Sequence, residues 1–258
     1  MKILLTNDDG YKAPGIRALY RSLNDSHEVV LIAPDQEKSA VSHGITLHSP
    51  LRIKEIRLES GHKGYAVSGT PADCVKLGLF EIFDTPPDLV ISGINAGGNL
   101  GIDINYSGTA SAAREGALNG VRGMAVSLML GETMDYQGMA GFASGLVDKW
   151  EDLQLAPGTF LNVNGPDIPV DRVSQVQVTR QAQNNLSKEF ERRVDPKNRP
   201  YFWYGGGNNG MAEPGTDIHA ILNQCISITP IRCDSTDDGS LAGLDSLTMN
   251  MKRNHHEI

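Results

Sequence analysis

Two adjacent carboxylates, Asp8 and Asp9, sit in Thr6-Asn7-Asp8-Asp9-Gly10, directly after the apolar run Ile3-Leu4-Leu5. The run reads as a buried strand, and in an open α/β sheet the ligand crevice lies outside the carboxyl ends of the strands. Like charges side by side repel unless something positive neutralises them. A hard divalent cation, which prefers oxygen ligands, does so most simply. A solvated Asp-Gly turn is the competing reading, and two further segments weigh against it. Gln36-Glu37-Lys38-Ser39-Ala40 follows a second apolar strand, just beyond Pro34-Asp35. Ser92-Gly93-Ile94-Asn95-Ala96-Gly97-Gly98-Asn99-Leu100-Gly101 follows a third at 88–94. If these strands are parallel neighbours, their loops converge on one crevice. Two carboxylates, the Ser39 hydroxyl and the Asn95 amide oxygen then form an all-oxygen site suited to Mg²⁺ or Mn²⁺. No His or Cys enters the set, which disfavours zinc.

Beside these loops, Tyr106-Ser107-Gly108-Thr109-Ala110-Ser111-Ala112 opens a helix. Free backbone N–H groups and the positive helix end make an anion site there, to which Ser107 and Thr109 can add hydroxyl donors. Plain N-capping by Ser or Thr is the alternative. An anion cradle next to a metal site is the pairing that phosphoester hydrolysis needs. Other chemistries lack their signatures. Gly97-Gly98-Asn99-Leu100-Gly101 has the wrong spacing for a dinucleotide fingerprint, and no G-K-[ST] P-loop or G-x-S-x-G elbow occurs. The carboxylates are adjacent rather than D-x-D, so one Asp can serve as ligand while the other contacts both metal and substrate water.

The elements that must position these residues alternate. Strands are expected at Lys2–Thr6, Glu28–Ala33, Asp88–Ile94, Gly123–Met129 and Phe160–Val163. Helices are expected from Pro14 to about Asn24, Pro71 to Phe83, Ser107 to Asn119 and Tyr136 to Trp150. Such alternation implies parallel pairing and a doubly wound sheet, a Rossmann-like three-layer α/β sandwich. After about residue 165 the pattern changes to a half-exposed strand at Val173–Thr179 and further strands at Tyr201–Tyr204 and Ile226–Ile228. Loops are expected at 205–210 and 213–217, a terminal helix at Ser240–Lys252, and a frayed tail in which His255 and His256 are solvated. We expect one domain over 1–258, with an α/β core at 1–165 and a β-rich antiparallel extension plus helix at 166–258 that serves oligomer contacts.

The 258 residues are 40% hydrophobic and 21% charged, enough for one large packed domain, and the net charge is -8. An acidic chain with a pI near 5.3 argues against nonspecific nucleic-acid binding, which needs a basic face. It leaves an anionic small substrate open, because a bound cation reverses the local field. Cys74, Cys225 and Cys233 form no CxxC pattern, pointing to a reducing compartment. Met1-Lys2 runs straight into a strand without a signal peptide, and no apolar run approaches the roughly 20 residues of a membrane span. A cytoplasmic protein without membrane contact is expected.

Together these pieces resemble the SurE family, survival proteins that act as metal-dependent nucleotidases. The resemblance is carried by 3–10 with Ala13-Pro14-Gly15-Ile16, Ala33-Pro34-Asp35 through Ser39, and Ser42 through Thr46. It continues through Gly69-Thr70-Pro71-Ala72-Asp73-Cys74-Val75, Ser92 through Gly97, Asn99-Leu100-Gly101, Tyr106 through Thr109, Pro214-Gly215-Thr216-Asp217 and 226–230. It implies one divalent ion per subunit on Asp8, Asp9, Ser39 and Asn95, phosphate contacts from Asn99, Ser107, Gly108 and Thr109, and a homodimer or homotetramer. It implies 5'/3'-nucleotidase activity, the hydrolysis of nucleoside 5'-monophosphates and, as a further expectation, of 3'-monophosphates. A metal-dependent nucleotide-sugar transferase and a non-catalytic nucleotide-binding module are the rival readings. Three positions depart from the family pattern. Ala40 replaces a frequent Gly, and a φ > 0 position there would suit Ala poorly. His43 stands where Asn is common and is a candidate substrate contact or an exposed loop residue. Gly98 replaces Pro or Ala, which loosens the Asn99 loop.

Overall fold

Strand β1 (Lys2–Thr6) lies at the centre of the molecule because both of its faces are apolar: Ile3, Leu4 and Leu5 are all fully buried. The computed structural model describes residues 1–59, 61–184, 190–204 and 212–253. β1 pairs in parallel with β2 (Glu28–Pro34) on one side and β5 (Leu89–Ala96) on the other. The nine-stranded sheet runs β3-β4-β2-β1-β5-β6-β7-β11-β8, with β3 (Ile53–Arg57), β4 (Lys63–Val67), β6 (Arg122–Leu128), β7 (Thr159–Gly165), β8 (Val176–Val178) and β11 (Ile226–Arg232). β4 through β7 are mutually parallel, while β3 and β11 run antiparallel to their inner neighbours. The chain leaves β1 for β2 on one side and returns to β5 on the other. That reversal opens a crevice at the carboxyl ends of β1 and β5.

Alternation along the strands assigns the two faces. Ile3 and Leu5 pack with Ile16 and Leu19 of α1 (Pro14–Leu23) and with Ala140 and Val147 of α4 (Tyr136–Asp148). Leu4 faces the other way, with Val75 of α2 (Pro71–Leu77) and Ala112 of α3 (Gly108–Leu118). The result is the expected three-layer sandwich, with a mostly parallel sheet flanked by helices. Pro14 opens α1, where its missing N–H is harmless. Thr70 and Asp73 close a reciprocal capping box on α2. The helix expected over 71–83 is α2 followed by a π-helical turn, Gly78–Ile82.

The C-terminal segment divides. β11 and β8 extend the main sheet, with α5 (Asp217–Leu222) leading into β11, and the chain ends in α6 (Asp238–Arg253). β9 (Phe190–Val194) and β10 (Pro200–Tyr204) form a separate antiparallel hairpin with every residue exposed. The segment read as a loop at 213–217 supplies Thr216, the N-cap of α5. The loop expected at 205–210, and His255 and His256, lie outside the described residues. No helix among the described residues is long and apolar enough to cross a membrane.

Candidate active site

The loops after β1, β2 and β5 meet in one cleft of about 870 Å³, lined by Asp8, Asp9, Ser39, Asn95, Asn99 and Ser107 among others. Asp8 is 5% exposed. Its Oδ1 accepts the Thr109 hydroxyl at 2.5 Å and its Oδ2 accepts the Thr109 amide at 3.1 Å. Gly108 is what lets α3 come so close, since a Cβ there would lie 2.9 Å from the Asp8 carboxylate. Burial pushes the Asp8 carboxyl up to about 6; the Asp9 charge adds to this, while the Thr109 donors pull the other way. Asp9 is raised too, by burial and the Glu37 charge, against one amide bond from Ala96 to its Oδ2 at 3.3 Å.

Asn95 reaches the cleft through a break in sheet register between Ser92 and Asn95 on β5. Gly93 makes the break possible: its φ is +136°, and a Cβ there would lie 2.2 Å from the Val126 carbonyl oxygen. The Asn95 Nδ2 donates to the Gly97 carbonyl at 2.8 Å, which leaves Oδ1 as the atom offered to the cleft. Ser39 donates to Glu37 Oε1 at 2.6 Å and keeps its oxygen lone pairs. Its loop is tied to the acidic turn by the Lys38 amide, which donates to the Asp8 carbonyl at 2.7 Å. Ala40 does sit at positive φ, +53°, and Ser42 at the same value.

Ser107 caps α3, its Oγ accepting the Ala110 amide at 3.0 Å. Capping uses a lone pair, so the hydroxyl proton is left to donate into the cleft; the two roles set against each other above are compatible. Asn99 is held on three sides by buried polar side chains. Its amide donates to Asn164 Oδ1 at 2.8 Å, its carbonyl accepts from Asn162 and Asn164 at 2.8 and 3.1 Å, and its Nδ2 donates to Ser127 at 2.7 Å. Asn164 thus pairs with the Asn99 backbone as a neighbouring strand would. The next turn is fixed by buried Asp217, whose Oδ2 accepts the Gly101 amide at 2.9 Å.

Two residues expected at the substrate stand elsewhere. Thr109 is fully buried, with both donors on Asp8, so it supports Asp8 from behind. His43 is absent from the cleft lining; its Nε2 lies 2.7 Å from Glu115 Oε2. Four lining residues with polar side chains were not expected as site residues: Glu37, Asp103, Tyr106 and Tyr204. The Asn99 clamp was not anticipated either, although Asn162-x-Asn164 in an apolar strand puts two amides on one side of β7, a signal present in the sequence.

This lining fits a hard cation. Among the described residues it holds four carboxylates and no Lys, Arg or His, so none of these lining side chains neutralises Asp8 and Asp9. Among the described residues, no three His, Cys, Asp or Glu side chains gather as a metal group. The available donors are therefore mixed oxygens: two carboxylates, the Asn95 amide and the Ser39 hydroxyl.

Comparison with known proteins gives the family. The family model described as survival protein SurE matches residues 3–188. A 5'-nucleotidase SurE of Heliobacterium modesticaldum is 48% identical over 92% of this chain and 88% of its own. Another, from Desulfatibacillum aliphaticivorans, is 46% identical over 93% and 96%. The crystal structure of the SurE protein from Aquifex aeolicus superposes with a TM-score of 0.85 at 37% identity, covering 95% of this chain and 99% of that one.

Proposed function

The chain belongs to the SurE family, and from that premise we propose that it is a metal-dependent 5'-nucleotidase that hydrolyses nucleoside 5'-monophosphates to nucleoside and phosphate. The observation that carries the reading is the convergence of Asp8, Asp9, Ser39 and Asn95 on the cleft that Ser107 and Asn99 also line.

We assign one divalent ion per subunit, Mg²⁺ or Mn²⁺, to Asp8, Asp9, Asn95 Oδ1 and Ser39 Oγ. When bound, it supplies a Lewis acid for the phosphoryl group and acidifies a water. Asp9, with one oxygen on the Ala96 amide and the other uncommitted to a backbone donor, orients the attacking water and receives its proton. Asp8 is the rigid member of the pair, fixed by Thr109. Ser107, the N-terminal turn of α3 at Gly108, and Asn99 donate to the phosphoryl oxygens as charge develops on them. Thr109 acts through Asp8 rather than on phosphate. His43 is assigned to the loop that carries Ser39, not to the substrate.

Phosphate release from a panel of 5'- and 3'-monophosphates tests the reading. EDTA is expected to abolish it, and Mg²⁺ or Mn²⁺ to restore it. Full turnover by a protein shown to be metal-free would refute the metal assignment. A nucleotide-sugar transferase would release no phosphate from a bare monophosphate, and a binding module would hold nucleotide with no turnover. A homodimer or homotetramer is part of the proposal, supported by the exposed β9–β10 hairpin and by Leu241, Leu244 and Leu247 of α6, each more than half exposed; light scattering in solution decides it. So is a cytoplasmic location, which the three free cysteines suit.

A further inference from the structure

The match to the family model ends at residue 188, but the cleft continues past it. Tyr204, the last residue of β10, lines the same cleft as Asp8 and Asp9. It stands opposite Phe190 at the base of the hairpin, and the two rings meet edge-on, with centroids 5.3 Å apart and planes at 60°. That contact engages one side of the Tyr204 ring, which is 57% exposed. A second phenol in the lining, Tyr106, is 59% exposed and is joined covalently to Ser107, at the anion end.

About 870 Å³ is far more room than a cation and one phosphoryl group fill, and lies within the range of small-molecule sites. The rest of the substrate must occupy the remainder. A flat heterocycle gains from an exposed aromatic ring, because every base has a π face to offer. We propose that Tyr204 is a specificity-determining residue of this chain, the wall against which the nucleobase of a nucleoside monophosphate stacks. Stacking of this kind reads the presence of a base rather than its identity, so the site accepts both purines and pyrimidines and favours the larger purine surface. The inference rests on the reading of the cleft as a nucleotide site.

Ribose 5-phosphate separates the base from the rest of the substrate, since it presents the same sugar and phosphate without it. In the Mn²⁺-loaded protein, Tyr204→Ala is expected to raise KM for a purine nucleoside 5'-monophosphate about 10-fold, with KM for ribose 5-phosphate and both kcat values nearly unchanged. Tyr204→Phe is expected to behave as the wild type. Equal changes for the two substrates, or none for either, would overturn the proposal. Turnover of ribose 5-phosphate also reports that the variant is folded. Equilibrium dialysis of the monophosphate is expected to show the same 10-fold loss of affinity in Tyr204→Ala. If the wild type binds the nucleotide but releases no phosphate, the hydrolase reading fails while dialysis still decides the role of Tyr204.

Discussion

Two buried carboxylates are held against the same helix and are treated in opposite ways. Asp8 meets the first turn of α3, and Glu115 projects from its last turns; each residue is 5% exposed. Burial alone raises the carboxyl in both. At Glu115 it is outweighed by hydrogen bonds from His43, Lys76 and Asn119 and by the Lys76 charge, which hold the group down to about 2. At Asp8 only neutral donors, the Thr109 hydroxyl and the amides of Thr109 and of Asp8 itself, oppose burial, the neighbouring charge is a second carboxylate, and the group stays near 6. A buried acid with its charge already satisfied is a structural joint, here tying the 42–46 loop, α2 and α3. A buried acid left without a counter-charge is a site waiting for a cation.

The sharpest way to break this contrast is to remove each charge. Asp9→Asn or Asp8→Asn is expected to lower kcat on the order of 1000-fold while the protein stays folded. Ser39→Ala, which removes a neutral oxygen that water can replace, is expected to cost clearly less. Steady-state rates alongside circular dichroism check this, and near-wild-type turnover by a folded Asp9→Asn protein would defeat the assignment.

The two acids must also respond to pH with opposite sign. Because Asp8 is raised from 3.8 to about 6, the folded protein without metal binds more protons than the unfolded chain between these values. Its stability therefore falls as pH rises through that window, by about 3 kcal/mol on this group's account. A divalent cation offsets the loss. Mn²⁺ is expected to raise Tm more at pH 8 than at pH 5, and equal gains at both would show that Asp8 does not bind it.

Smaller in stability, but decisive for the anion cradle, is Ser107→Ala. Loss of the cap is expected to cost about 1 kcal/mol, and loss of the donated proton about two orders of magnitude in kcat. A variant that melts early but turns over normally would leave Ser107 as a cap alone.

Much of this arrangement was legible in the sequence; β4, whose run Lys63-Gly64-Tyr65-Ala66-Val67 is short, was missed, and two exposed strands were missed for another reason. β1, β2, β5, β6 and β7 are largely buried on both faces, so each appears as an apolar run, and those of β1, β2 and β5 end where a site loop begins. β3 and β9 are exposed throughout or nearly so; Ile53-Lys54-Glu55-Ile56-Arg57 and Phe190-Glu191-Arg192-Arg193-Val194 carry no burial pattern to read. The candidate metal donors could be read from sequence because each lies on or close after its strand. The partners of Asp8, Asn99 and His43 could not: Thr109 is 101 residues from Asp8, Asn164 is 65 from Asn99, and Glu115 is 72 from His43. Local sequence showed a hydroxyl at a helix start and a histidine in a loop; only the packing of α3 decided which acid each one meets.

Glu115 supplies the counter-test on the structural side. Its carboxyl is lowered from 4.5 to about 2, so its contribution to stability is present above pH 4.5 and is lost as pH falls toward 2. Glu115→Gln is expected to lower stability at pH 7 by about 1–3 kcal/mol, to flatten the fall of Tm between pH 5 and pH 3, and to leave kcat within a few-fold of the wild type. A large loss of kcat with no change in melting would move Glu115 from the joint into the site.

The smallest expected effect lies in the loop that links the two acids. Its Lys38 end is bonded to the Asp8 carbonyl and its His43 end to Glu115, and between them Ala40 is held at φ +53°. A left-handed alanine costs roughly 1–2 kcal/mol, and glycine there relieves that strain while adding freedom to the unfolded chain. Ala40→Gly is therefore expected to stabilise by under about 1 kcal/mol, a rise in Tm of a few degrees at most. Because the loop is anchored at both ends, affinity for Mn²⁺ measured by calorimetry is expected to stay the same. If Ala40→Gly instead shifts Mn²⁺ affinity severalfold without moving Tm, the strain at Ala40 sets the position of Ser39, and the cation site depends on the joint rather than standing apart from it.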